Sequence, residues 1–523
     1  MRTPWQSLLW KELREHRAVF ACLLVIFALV PLSTLGDRRG DFGDAALVAL
    51  IPFTALFLAA NLGAGERSRG TDRFLQALPI ETTHPAAAKL LVGIFTAVVP
   101  AVVATLVLYA AYLLKARDVT IPPEWKLFEG AWGITHPVAA TIVGATLIAV
   151  SFLLWGAAAS VNRANEIRAG AVTICVVAGT WIVASFALEL CVRRFGVSSF
   201  RNWGELIVPA IVPGGAGAVG TWGLQSQGSG PASLATWVSH FGTPLLLTLV
   251  VHIAVGWRYL RRFARYDPSS AEAVTGAGAG AGAAPVTATS LGWLDAPRKS
   301  TRQAILWKQL RESLPLTLAG WAATLAVALV VLISRWFDGG SFTYRTELIL
   351  GKAMLGTVGY LGVFVALIGG VAVLMEDMRP GMSTFWRSRP IRVDQWFWTK
   401  YLTGLVVTVG GLALAAVPGL LLIWGEIALQ PHLLAAMGMT ALVMVNLFGA
   451  ASATMALVRR PLIAAVLALG AFVLVVMALG YFNTRFEFYP LAVATIVVAL
   501  ATLGTPVLAW QAVKRDWGWV EDQ

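Results

Sequence analysis

Twelve long stretches of this chain contain no Asp, Glu, Lys or Arg: 18–36, 45–65, 90–114, 130–162, 169–188, 206–257, 313–334, 353–375, 401–425, 427–458, 461–484 and 488–513. About 20 apolar residues at 1.5 Å each cross the ~30 Å hydrocarbon core of a bilayer. A single charge at mid-membrane costs about 2.5–3.5 kcal/mol, so charge-free windows of this length predict spanning helices. The ten-residue alternating segments of a membrane barrel do not occur. Composition points the same way: 57% of the 523 residues are hydrophobic and only 13% charged, against about 25% charged in soluble domains. So few polar groups cannot cover a water-facing surface. The expected fold class is all-α, a polytopic membrane protein of about twelve transmembrane helices.

The formal net charge is +12. Basic residues beside anionic lipid explain that excess better than nucleic acid, because no basic stretch is interleaved with stacking aromatics. With the N-terminus inside, the inner segments hold 28 of the 40 Lys and Arg. The positive-inside rule then places both termini in the cytoplasm and the chain in the cell (inner) membrane. The first apolar run has no convincing small-residue cleavage site and reads as a retained span. Three cysteines, Cys22, Cys175 and Cys191, form neither a disulfide framework nor a zinc spacing.

The chain repeats itself. Residues 10–15 read WKELRE and residues 307–312 read WKQLRE, each before the first span of a six-span block. After the second span of each block, ERSRGTDRFLQALPIETTHPAAAK (66–89) matches EDMRPGMSTFWRSRPIRVDQWFWTK (376–400). Glu66 aligns with Glu376, Gly70 with Gly381, Pro79 with Pro390 and Lys89 with Lys400. Two motifs recurring in the same order imply tandem parallel halves, since each block has an even number of spans. The expected domains are a first half over 1–266, a Gly/Ala-rich flexible linker over 267–300, and a second half over 301–523. The run 206–240, broken by Pro209, Pro213 and many glycines, reads as an outer re-entrant segment before a true span near 241–257.

Two segments could carry function. Around Trp10, Lys11 and Glu12, the residues Trp5, Leu8, Leu9 and Leu13 fall on one helical face, with Lys11, Glu12, Arg14 and Glu15 largely opposite. That pattern predicts an amphipathic interfacial helix, with Trp307 and Lys308 in its second copy. After the second span, Glu66, Arg67, Arg69 and Arg73 surround Gly70-Thr71. Thr71 can cap a short helix bearing Phe74, Leu75 and Leu78 that ends at Pro79. Such an element is either a solvated basic connection or a rigid lever for a partner.

WKELRE before the first span, with Glu-Arg-x-x-Gly-Thr and Leu-x-x-Leu-Pro after the second, resembles the membrane subunits of ABC-type exporters of the second permease class. The resemblance implies that the first segment is a connecting helix along the membrane and the second a coupling helix docking into an ATP-binding subunit. It also implies re-entrant outer helices between spans five and six. The coupling residues it implies are Glu66, Arg67, Gly70, Thr71, Arg73, Leu75 and Pro79, and in the second copy Glu376, Gly381, Arg387 and Pro390. The second copy departs at Met382 and Arg389, and its outer connection 481–490 is too short for re-entrant helices. The partners implied are two copies of a cytoplasmic ATP-binding subunit within membrane lipid, with ATP and Mg on that subunit and no cofactor on this chain.

No phosphate-cradling G-x-x-x-x-G-K-[ST] loop is present, and Gly351-Lys352-Ala353 lacks its first glycine and hydroxyl. The first outer connection offers Asp37, Asp41 and Asp44, which read as a solvated loop or as the acids of a membrane enzyme. Glu189 and Glu426 sit at span ends, and His252 within span six reads as a packing hydrogen-bonder more readily than a proton relay. The open alternatives to an ATP-driven export permease are an ATP-independent carrier or channel and a membrane-embedded enzyme.

Overall fold

The structure is a computed structural model that describes residues 4–32, 41–69, 81–115, 135–161, 163, 166–195, 210–215, 234–264, 300–337, 344–378, 391–425, 431–486 and 490–516, with some helix ends described as backbone alone. Its long helices are α1 (Pro4–Leu32), α2 (Asp41–Arg69), α3 (Thr83–Lys115), α4 (Thr135–Ser160), α5 (Glu166–Phe195) and α6 (Leu234–Ala264). They continue as α7 (Thr301–Phe337), α8 (Tyr344–Met375), α9 (Val393–Leu422), α10 (Pro431–Val458), α11 (Pro461–Phe486) and α12 (Pro490–Lys514). Among the described residues, ten of these are long and apolar enough to cross a membrane. The other two, α2 and α11, are apolar over Leu50–Gly65 and Pro461–Leu474. There is no strand among the described residues. This is the architecture of a multi-pass α-helical membrane protein.

Neighbours recur with an offset of six. In the first set α1 packs on α3, α2 on α4 and α5, and α4 on α5 and α6. In the second, α7 packs on α9, α8 on α10 and α11, and α10 on α11 and α12. Contacts between the sets follow the same offset: α7 lies against α5, and α1 against α11. One continuous buried core runs through both, including Phe27 of α1, Leu58 of α2, Phe364 of α8 and Phe448 of α10. On the outer surface, Leu246, Leu249, Val250 and Ile253 of α6 form an exposed apolar row at helical spacing. Such a row is stable against lipid and not against water.

Close helix crossings replace hydrophobic driving force inside a membrane, and small residues permit them. At the α2–α4 crossing the Ser160 hydroxyl donates to the Ala59 carbonyl at 2.8 Å. At the α8–α10 crossing Ser452 donates to the Gly370 carbonyl at 3.0 Å. α9 is interrupted by a π-helical turn at Val406–Gly410. The neighbouring helix meets the disturbed carbonyls: Thr317 of α7 donates to Val407 O at 2.9 Å and Trp321 to Gly411 O at 2.9 Å. A π-turn in hydrocarbon persists where side chains re-satisfy it in this way.

Two expectations are corrected. The segment around Trp10 is not a separate interfacial helix, because α1 runs unbroken from Pro4 to Leu32 and α7 from Thr301 to Phe337. Its buried face is also different: Leu8, Glu12 and His16 point inward while Trp10 and Leu13 are exposed. Likewise Asp41 and Asp44 belong to the first turn of α2 and not to a loop; Asp37 lies outside the described residues, as does the linker 267–299.

A Cβ on Gly370 would be driven into the Phe448 carbonyl, whereas one on Gly356 of the same helix meets nothing within 4 Å. Gly370→Ala is therefore expected to destabilise the protein by about 1–3 kcal/mol, and Gly356→Ala to change it by less than about 1 kcal/mol. Thermal unfolding of the two variants in the same detergent checks this.

Candidate functional site

The recurring motifs converge on two buried charge clusters. In the first, Lys89 at the start of α3 reaches Glu12 of α1 at 3.0 Å, with side-chain exposures of only 7% and 2%. Lys11 lies 3.3 Å from both Glu12 and Glu15. Buried charge is costly unless paired and hydrogen-bonded, so the lysine explains why Glu12 turns inward against the amphipathic pattern. The burial order Leu8, Glu12, His16, Val19 is one helical stripe with a carboxylate set into it.

The second cluster stands at the corresponding place. Lys400 of α9, 1% exposed, donates to Asp377 just beyond the end of α8 at 2.6 Å and lies 3.8 Å from Glu312 of α7. Lys308 donates to the other oxygen of Asp377 at 2.5 Å and lies 3.7 Å from Glu312. Burial pushes the Asp377 carboxyl up, but the Lys400 and Lys308 ammoniums outweigh it and hold the group below its ordinary value. A depressed carboxylate pKa gives stability that is present above the unfolded value of about 4 and lost as pH falls through the folded one.

Of the residues the sequence singled out, Lys11, Glu12, Lys308, Lys89 and Lys400 are brought into these clusters. Trp10 is exposed on the outer side of α1. Glu376 lies beside Asp377 at the end of α8. Sequence reasoning missed Asp377, Glu312 and Glu15 as partners. Glu15 and Glu312 were legible as the last letters of the two WK(E/Q)LRE copies, but Asp377 had no motif to mark it. Glu66 and Arg67 continue α2 by backbone, their side chains outside the description. Gly70, Thr71, Arg73, Leu75, Pro79, Gly381, Arg387 and Pro390 lie outside the described residues.

Between the two helix sets lies a crevice of about 420 Å³ including its open mouth, lined from α2, α5, α8 and α11 by residues such as Phe57, Asn61, Glu166, Ile368, Met375 and Leu462. Next to it along α2 and α8, Phe57 packs against Phe364 at 4.9 Å, and Phe53 stacks on Tyr360 at 4.8 Å and on Phe364 at 5.7 Å. These aromatic contacts close the line along which the two sets face each other.

The broken segment after α5 is described over 210–215 as a short turn packed among helices. Gly214 has φ +79, and a Cβ there would enter the Phe152 ring. Its N–H donates to Ser151 Oγ at 2.9 Å, and Trp181 donates to the Pro213 carbonyl at 3.0 Å. His252 Nδ1 faces the Thr248 carbonyl at 2.6 Å and so carries the proton, leaving Nε2 to accept from Ser151 at 2.7 Å. His252 thus pins the turn to α4 and α6 as a hydrogen-bonding residue.

No protein-family model matches the chain, and no curated protein matches it either.

Removing the Lys400 ammonium leaves a buried carboxylate pair uncompensated, whereas the Lys308 side chain is 46% exposed. Lys400→Met is expected to cost about 3–5 kcal/mol, and Lys308→Met markedly less. The Lys400→Met deficit should be complete above about pH 4 and shrink as pH is lowered further. Melting curves between pH 7 and 3 read both effects.

Proposed function

We propose that this chain is the membrane subunit of an ATP-driven exporter, with two six-helix halves fused into one polypeptide and a translocation path between them. The observation that carries the reading is the offset of six in helix neighbours, including α7 on α5 and α1 on α11. Two equivalent halves that face each other along α2, α5, α8 and α11 have a single shared seam, and the crevice and the aromatic stack lie on it. A seam between two packed bodies is where rocking opens and closes a route.

In this reading the stretches 66–79 and 376–390 dock on two cytoplasmic ATP-binding subunits, which hold ATP and Mg. Closure of those subunits moves both stretches. The buried clusters at Lys89 and Lys400 join the helices on either side of each stretch, so motion passes into α1 and α3 and into α7 and α9. Crevice walls of Phe57, Ile368, Met375 and Leu462 suit an apolar or amphipathic cargo. The basic residues retained at inner connections support cytoplasmic termini in the cell membrane.

The experiment is reconstitution with the co-purifying ATP-binding subunit. Glu66→Ala, and Gly70→Pro with its loss of backbone freedom, are expected to reduce chain-dependent stimulation of ATP hydrolysis at least tenfold while membrane insertion persists. Unchanged stimulation in both variants would refute the docking role of that stretch.

A further inference from the structure

The two buried clusters contain the same charges with one of them moved. Each is a quartet of two lysines and two carboxylates: Lys11, Glu12, Glu15 and Lys89 in the first, Lys308, Glu312, Asp377 and Lys400 in the second. The repeat aligns Lys11 with Lys308, Glu15 with Glu312 and Lys89 with Lys400. The fourth member breaks the correspondence. Where the first copy has Glu12 the second has Gln309, and where the second has Asp377 the first has Arg67. The lysine at the start of the third helix of each set has kept one close carboxylate, but that carboxylate has passed from a helix to the connection that follows α8.

The vacated position keeps a trace of the exchange. Gln309 is fully buried and donates through Nε2 to Ser313 Oγ at 2.8 Å. Its Oε1 accepts no hydrogen bond among the described residues. A buried amide oxygen without a donor is unfavourable, and it stands where the aligned carboxylate receives a lysine in the other copy.

We infer that the two quartets are interchangeable locks, and that placing the acid at Asp377 makes the α8–α9 connection itself part of the second lock. Asp377 is bonded at once to Lys308 of α7 and Lys400 of α9. Displacing residues 378–392 therefore carries α7 and α9 along or breaks two charge-assisted hydrogen bonds, which are about twice as strong as neutral ones. Asp377 is a positioning residue for that connection. In the first copy the equivalent lysine is held by an acid on α1, so that pair ties α1 to α3 directly.

The inference rests on the permease reading only for what pulls on the connection, and its test needs neither an ATPase nor a cargo. The full chain in lipid nanodiscs is compared with Asp377→Asn and with the transplant Gln309→Glu/Asp377→Asn, by melting temperature and by hydrogen exchange over 378–392. Asp377→Asn should lower Tm by on the order of 10 °C and speed exchange in 378–392 at least fivefold. The transplant should recover most of the Tm while exchange stays fast. A transplant as unstable as the single variant would show that the quartets are not interchangeable. One that restores slow exchange would show that the acid's location does not hold the connection. If Asp377→Asn does not accumulate, the reciprocal Glu12→Gln/Arg67→Asp decides. It should keep its Tm and slow exchange over 66–80, and failure of either overturns the inference.

Discussion

Hydrocarbon offers no hydrogen bonds, so every polar group set inside this bundle needs a protein partner, and that requirement shapes the structure at each level. Ser160 and Ser452 give their hydroxyls to backbone carbonyls of the helices they cross. The π-turn in α9 survives because Thr317 and Trp321 reach its carbonyls. The turn at Pro213-Gly214 is held by Trp181, Ser151 and, through Ser151, His252. The most demanding groups are Lys89 and Lys400, whose ammoniums are buried where an isolated charge would not persist. Each draws a carboxylate inward, and in doing so fixes which way the start of α1 and the end of α8 face.

These clusters also bear on how a duplicated membrane protein can become unequal without losing stability. A quartet that stays neutral overall tolerates the transfer of one acid between positions, because the lysine responds to the nearby carboxylate and not to the element that carries it. What changes is which elements are joined. In the permease reading the two docking stretches then respond differently to the same pull, in keeping with the departures at Met382 and Arg389 in the second copy.

Much of the fold was legible in sequence. The charge-free windows mark the helices, because a bilayer tolerates so little else, and the true span after the broken run falls at Gly242–Phe263. The spacing from Gly70 and Gly381 to Lys89 and Lys400 identified both lysines as related positions. The amphipathic pattern around Leu9 and Leu13 misled, because hydropathy assumes that carboxylates face water, while Glu12 faces Lys89. Asp377 was not legible, since its importance comes from a pairing 69 residues from Lys308 and 23 from Lys400. The aromatic seam of Phe53, Phe57, Tyr360 and Phe364 was equally hidden, because aromatics in apolar spans carry no local signal of which helix they face.

The central claim is that one chain supplies both halves of the permease. A six-helix permease must dimerise to present two docking stretches, whereas this chain carries both, joined by a linker whose flexible reach is roughly 30 Å. Native mass measurement of the assembly purified from membranes tests this most directly. The account predicts one copy of this chain with two ATP-binding subunits. Two copies of the chain per complex, or a purified chain with no ATP-binding partner under conditions that preserve membrane complexes, would contradict it.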